Sequence, residues 1–335
     1  MPINQIKKIQ ESNSVIFGKR SYTLNNGVFK STQMNLTSTQ KQTQSTFGFK
    51  WKQEDTFNSP ASLSRMKNWL LDRYEDPSKW LNKLSVEKPV VLDAGCGAGM
   101  SGFEYFGSVS QKIDYFGIDV SEAVDVAKKR TVEKGFNHAL FMQESIANLP
   151  FTEPMFDIVF SEGVLHHTDN TQNTFNHLCQ FLKDDGLFMF YVYRKKAPLR
   201  EFTDDHIREQ LQPLTAEQGW EELKSLTKLG IELGKLDIEI NVPENIKTLD
   251  IPAGKINLQR LFYWYFCKAF YDPNLTFDEM HHINFDWYAP KNAHRHTVEE
   301  IKQWCKNNKL EIESIKEELS GITCIARKVE AMEAC

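Results

Sequence analysis

The sequence predicts an α/β protein with a doubly wound, mostly parallel sheet and a mainly helical insertion. Three observations carry this. From residue 89 to 193, short apolar runs alternate with amphipathic segments of helical period. Such alternation places parallel strands in one sheet, with helices on both faces. A glycine-rich turn follows the first run, and the next segment reads as a helix start. The alternation then stops at 194 and resumes at 294, so about 100 residues are inserted between the fifth strand and the last helix.

The elements follow in order. Residues 1–46 are polar, and STQMNLTSTQKQTQST is close to low complexity, so this part reads as an arm or loop, with short strands expected at VIFG and GVFK. Residues 47–88 read as a helical cap: FGFKW, then SLSRMKNWLLDRY with Met66, Trp69, Leu70 and Tyr74 at helical spacing, interrupted at Pro77. In the core, 89–193, PVVLDA, DYFGIDV, HALFMQE, FDIVFSE and GLFMFYVY are strands, separated by helices such as TQNTFNHLCQFLKDDG. The insertion, 194–293, opens on the basic RKKAPLR. It holds a helix from 214 to about 234 and an aromatic helix, INLQRLFYWYFCKAFYDP. Residues 294–328 complete the core, with Thr297 as helix cap and Glu300 at the capping-box position. Residues 329–335 are a tail.

Composition narrows the class. The chain of 335 residues is 41% hydrophobic and 25% charged, the balance of a soluble globular protein. A net charge of −5 gives no electrostatic case for nucleic acid or an anionic membrane as partner. The six cysteines form no C-x-x-C pair and are scattered, which fits a reducing compartment. No run approaches the roughly 20 apolar residues of a membrane span. A cytoplasmic protein is expected, and a homodimer is left open.

In an open parallel sheet, ligands bind beyond the C-terminal strand ends. Those ends are Asp93, Asp119, the Glu144–Ser145 region, Glu162–Gly163 and Tyr193. The loop Gly95-Cys96-Gly97-Ala98-Gly99 is G-x-G-x-G, which departs from the dinucleotide-binding G-x-G-x-x-G and lacks the Lys-Ser/Thr of a phosphate loop. Its glycines permit a sharp turn and a close ligand approach. Free N–H groups at the following helix start attract a carboxylate, and Asp93 suits an ammonium group. Asp119 suits a bidentate hydrogen bond to both hydroxyls of a ribose. An amino acid joined to a nucleoside meets all three, which points to S-adenosyl-L-methionine (SAM).

VLDAGCGAG, the acid of FGIDVSEAV, the LPF of ANLPFTEPMFDIVFSEGVLHH and the LKDDG turn resemble class I SAM-dependent methyltransferases, closest to the broad group with the ubiquinone-biosynthesis type. The resemblance covers 90–193 strongly and 294–328 more loosely. It implies a Rossmann-like sheet of seven strands, the last antiparallel, with SAM as cofactor. It places Gly95 and Gly97 under the methionine part, Asp119 at ribose and Val120 on adenine. Many relatives have Asp where Ser145 stands, beside Ile146, to bond the adenine amino group. Cys96, Gly99 and Glu162 complete the cofactor set.

Methyl transfer is an in-line attack on an activated methyl group, so the protein chiefly aligns the reactants and excludes water. A base is needed only where the nucleophile must lose a proton. Candidates are His166, His167, Tyr193, Asp286 and His296. Arg194, Arg200 and Tyr288 are candidates for the acceptor, the arginines as partners for an anion. Phe47, Trp51 and Tyr74 are placed either over the SAM pocket or against the sheet flank. His281, His282, His294 and His296 match no zinc spacing, and no metal is expected. The leading reading is a methyltransferase acting on a small molecule in a biosynthetic or secondary-metabolite pathway. The alternatives are protein or RNA methylation, aminocarboxypropyl transfer, and SAM binding without catalysis.

Overall fold

The computed structural model describes residues 14–18 and 20–329. The first thirteen residues of the arm and residues 330–335 of the tail lie outside the described residues. The chain opens with an antiparallel meander of β1 (Ser14–Phe17), β2 (Arg20–Asn25) and β3 (Val28–Ser31). Asn26 and Gly27 join β2 to β3 with φ of 50° and 79°, the left-handed pair a two-residue hairpin requires.

The stretch expected as a loop is instead helix α1 (Ser38–Lys52), capped by the Thr37 side chain accepting the Gln40 N–H. Its first half shows no apolar period because its inward face is polar. Gln40, Gln42 and Gln44 donate side-chain N–H bonds to the carbonyls of His167, Ala289 and Val120. The boundary read between 46 and 47 thus falls inside one helix. Helices α2 (Pro60–Tyr74) and α3 (Pro77–Leu81) follow, each with a capping side chain and proline in its first turn.

The core strands are β4 (Val90–Ala94), β5 (Asp114–Asp119), β6 (Leu140–Gln143), β7 (Phe156–Glu162) and β8 (Leu182–Tyr193). Between them lie α4 (Met100–Phe106), α5 (Ala123–Arg130) and α6 (Thr171–Cys179). β4 and β5 are buried along their whole length, as strands covered on both faces must be.

The insertion contains α7 (Pro198–Leu211), α8 (Ala216–Lys235), a hairpin of β9 (Glu239–Val242) and β10 (Gly254–Asn257), α9 (Leu258–Tyr265) and α10 (Phe277–Tyr288). The aromatic helix is shorter than its pattern predicts. Past Tyr265 the backbone is claimed from outside: Lys268 N–H donates to the Tyr288 hydroxyl and Phe270 N–H to Asn284 Oδ1, both on α10. The chain closes with α11 (Val298–Asn307), β11 (Leu310–Glu317) and β12 (Gly321–Lys328), and α11 carries the expected Thr297–Glu300 capping box.

The main sheet runs β1-β2-β3-β6-β5-β4-β7-β8-β12-β11. Its last seven strands are the seven expected, with β12 antiparallel to β8. The meander lengthens the sheet to ten described strands, because β3 pairs in parallel with β6. Strand order reverses between β4 and β7, which opens the ligand crevice at their C-terminal ends. No helix among the described residues is long and apolar enough to cross a membrane.

Candidate functional site

A cavity of about 610 Å³ lies over this crevice, between the strand ends, α1, α2 and the insertion. That volume suits a cofactor-sized ligand. Its sheet side is lined by Asp93, Gly95, Cys96, Asp119, Val120, Ser145, Ile146 and Glu162. Gly97 and Gly99 shape the loop without lining it. Gly95, Gly97 and Gly99 all have left-handed φ, 89°, 52° and 75°. At Gly97 a side chain would also collide with Trp51, whose Nε1 would lie 2.8 Å from its Cβ. Trp51 and Phe47 line the cavity, so α1 covers the pocket, whereas Tyr74 sits behind it.

Asp119 is 8% exposed. Its Oδ2 accepts the Gly97 N–H at 2.9 Å, and its Oδ1 accepts both the N–H and hydroxyl of Ser121 at 2.8 and 2.6 Å. A carboxylate offers about four lone-pair sites. Three are taken, so the carboxylate has room for one further hydroxyl rather than the bidentate pair expected. Burial raises the Asp119 carboxyl above its ordinary value, while these bonds oppose the shift. Asp93 is 3% exposed and accepts the Tyr115 hydroxyl. Burial pushes it up to about 7, helped by Asp119 and Glu162 and opposed by Tyr115. A ligand ammonium is the charge that would reverse this shift.

Glu162 has a structural engagement. It accepts bonds from Arg73 and, at 2.5 Å, from the Tyr74 hydroxyl, tying α2 to the end of β7. Cys96 is a buried thiol pushed well up by burial, which suits a small turn residue and not a nucleophile.

The candidate bases separate. His167, Tyr193 and Asp286 line the cavity; His166 and His296 do not. His166 is fully buried, stacked on Tyr193 at 3.6 Å, and burial holds its pKa well down. His296 bonds Thr171 at 3.0 Å and packs on Trp304, away from the cavity. Asp286 is ion-paired with Lys50. Burial pushes Asp286 up, but Lys50, His167 and Lys268 outweigh it and hold the carboxyl well below the usual range. It is therefore a charge partner, not a base. Tyr193 reaches Asp286 at 3.4 Å, and burial raises its phenol out of range for proton removal near neutrality.

His167 differs. Its Nδ1 lies 2.6 Å from the Asn292 carbonyl oxygen, which only accepts, so Nδ1 carries the proton. Nε2 is buried, unprotonated and without a partner among the described residues. Burial lowers its pKa to about 4, with Asp286 and the Asn292 bond opposing, so the ring is neutral near pH 7.

On the insertion side, Arg200 lines the cavity. Arg194 faces away and pairs with Glu317 at 3.4 Å, and Tyr288 is buried behind the wall, bonded to Asp204 at 2.8 Å. Neither is placed to touch a ligand. Sequence reasoning missed Thr43, Lys50, Trp69, Lys196, Tyr263 and Lys268, all cavity residues. Lys196 lay within the RKKAPLR patch and Lys50 within FGFKW; Thr43 and Lys268 had no local signal. His281 and His282 bond Thr227 and Thr56, at 2.8 and 2.7 Å.

These residues fit SAM. The glycine turn gives close backbone approach, the acids at β4 and β5 line the cavity where an ammonium and a ribose hydroxyl would need them, and the buried Thr43 hydroxyl has no partner among the described residues. The strand order and this acid-flanked glycine turn define the class I SAM-dependent methyltransferase fold.

Residues 85–231 match the family model described as a methyltransferase domain, and SAM is the cofactor that such a domain implies. An uncharacterised methyltransferase of Bacillus subtilis (strain 168), YcgJ, is 27% identical over 172 residues, covering 49% of this chain and 67% of that protein. A tRNA (guanine-N(7)-)-methyltransferase of Clostridium botulinum (strain Eklund 17B / Type B) is 32% identical over 69 residues, 21% of this chain and 31% of that protein. A solved SAM-dependent methyltransferase from Aquifex aeolicus is 13% identical, covering 80% of this chain and 98% of that one, with a TM-score of 0.41.

Proposed function

We propose that the protein transfers the methyl group of SAM to a hydroxyl or N–H group of a small molecule, with His167 as general base. The observation that carries this is the His167 ring: its tautomer is fixed by Asn292, and its free Nε2 belongs to a residue of the cavity wall. SAM supplies a methyl group already activated by the sulfonium charge. Asp93 and Asp119 hold the donor at the strand ends. His167 Nε2 takes the proton that the acceptor atom loses, and the Asp286 carboxylate favours the imidazolium that results. Phe47 and Trp51 on α1, with the insertion, keep water from the reacting atoms. A cytoplasmic setting is part of this reading, supported by five buried free cysteines.

A cavity of about 610 Å³ between the strand ends, α1, α2 and the insertion supports a small acceptor over a protein or RNA surface. Incubation with methyl-labelled SAM and fractionated cell extract tests it. Label in the small-molecule fraction, with S-adenosylhomocysteine as product, is expected. Label in RNA or protein, or release of methylthioadenosine, sinks the proposal. His167→Asn is expected to lower kcat about 10²–10⁴-fold with SAM affinity unchanged by calorimetry. In the parent enzyme, activity should fall as pH drops through about 4, where His167 gains its proton.

A further inference from the structure

The insertion side of the cavity carries cations that the transfer chemistry does not use. Lys268 is 7% exposed, lines the cavity, and its Nζ has no hydrogen-bond or ion-pair partner among the described residues. It sits where α9 stops, because Tyr288 and Asn284 bind the flanking backbone and present this residue inward. Its Nζ lies 4.7 Å from the centre of the Trp287 ring. Lys196 approaches the same ring at 5.4 Å. Lys196 Nζ donates to the carbonyls of Leu319 and Ser320, at 2.7 and 2.5 Å, and has no carboxylate partner.

The carboxylates on this part of the wall are engaged elsewhere. Asp272 faces Arg65 at 3.8 Å, Glu318 faces Arg73 at 3.7 Å, Glu279 accepts from Ser59 and Thr276, and Asp286 pairs with Lys50. Arg200 and Arg208, the other two cations near Trp287, are paired with Asp204 and Asp205. Lys196 and Lys268 therefore share one aromatic wall with no carboxylate in ion-pair reach; Asp286 acts on Lys268 only at longer range, and burial holds Lys196 well below the ordinary lysine value. A buried charge without a partner is costly and is retained where a ligand supplies the partner.

We propose that Lys268 and Lys196 form a subsite for the anionic group, a carboxylate or phosphate, of a ring-bearing methyl acceptor that packs on Trp287 and Tyr263. This rests on the reading of the cavity as a small-molecule acceptor site, and names the charge class of that acceptor. Burial and then Arg200 lower Lys268 to about 7, with Asp286 opposing, and a bound anion would restore its charge.

The test uses the full chain saturated with S-adenosylhomocysteine, with benzoate, phenyl phosphate and neutral benzyl alcohol as probes in calorimetry. An anionic probe is expected to bind at least about tenfold tighter than benzyl alcohol, a difference of about 1.4 kcal/mol. Lys268→Met should remove that preference while leaving S-adenosylhomocysteine affinity unchanged, and Lys268→Arg should retain most of it. Which anion binds tighter assigns the group as carboxylate or phosphate. Equal binding of all three probes overturns the anionic subsite and leaves the small-acceptor reading intact. Binding of none at roughly 10 mM overturns both. An unchanged preference in Lys268→Met, and again in Lys196→Met, overturns the assignment to these lysines.

Discussion

The two walls of the cavity are built on opposite plans. The sheet wall is made by backbone: three left-handed glycines, two strand-end acids, and an N–H to carboxylate bond from Gly97 to Asp119. The opposite wall is made by side chains from α1, the loop after β7 and the insertion: Lys50 against Asp286, Lys196 and Lys268 over Trp287, and the His167 ring. A backbone site has few solutions and leaves a compact motif. A side-chain site can be assembled from distant positions, so it leaves little local trace.

Three measurements press on that contrast. The largest effect is expected at the sheet wall. Asp119→Ala leaves the buried N–H groups of Gly97 and Ser121 without their acceptor and removes the proposed ribose contact. SAM affinity should fall by about 4 kcal/mol, roughly a thousandfold. Near-parent affinity by calorimetry would mean that the loop does not organise the donor site. On the other wall, Lys50→Met leaves Asp286 without its partner and should cost about 3 kcal/mol of stability in denaturant unfolding. The double variant Lys50→Met/Asp286→Asn should recover most of it. No recovery would show that Lys50 acts through packing on Trp51, 4.0 Å from its Nζ, and not through the ion pair.

The third effect is graded. Asp93 must be ionised to hold an ammonium, and its carboxyl sits near 7 in the free protein. SAM affinity should be full above that pH and weaken by up to about tenfold, or about 1.4 kcal/mol, per unit below it. The ligand-free fold should behave oppositely. Its native Asp93 holds a proton that the unfolded chain has released, so this contribution to stability is lost as pH rises from about 4 to about 7. A flat affinity profile from pH 5 to 8, checked by calorimetry, would remove Asp93 from the ammonium role.

What the sequence made legible follows the same division. The alternation of strands and helices, the order of the acids after β4 and β5, and the Thr297–Glu300 box are local patterns, and each appears where expected. The early part of α1 was hidden because glutamines, not apolar residues, face inward. The shortened α9 was hidden because Tyr288 and Asn284, far along the chain, take the N–H groups of Lys268 and Phe270. Among the histidines, sequence alone could not separate His166 from its neighbour. Stacking on Tyr193 makes His166 an interior ring with both nitrogens unpartnered among the described residues, while His167 belongs to the cavity wall and is oriented by the Asn292 carbonyl.

The amides of α1 have one more consequence. Its glutamine-rich half is fastened by hydrogen bonds, from Gln40, Gln42 and Gln44 and from Thr37 and Thr39 to Asp169, each worth about 1 kcal/mol net. Its far half is fixed by Phe49 against Trp220 and Phe285, and by Trp51 against Phe57. Lifting the first half trades these bonds for bonds to water and bares little hydrocarbon. The two halves of one helix are thus held by different forces, the first by polar bonds that water can replace and the second by ring packing that water cannot.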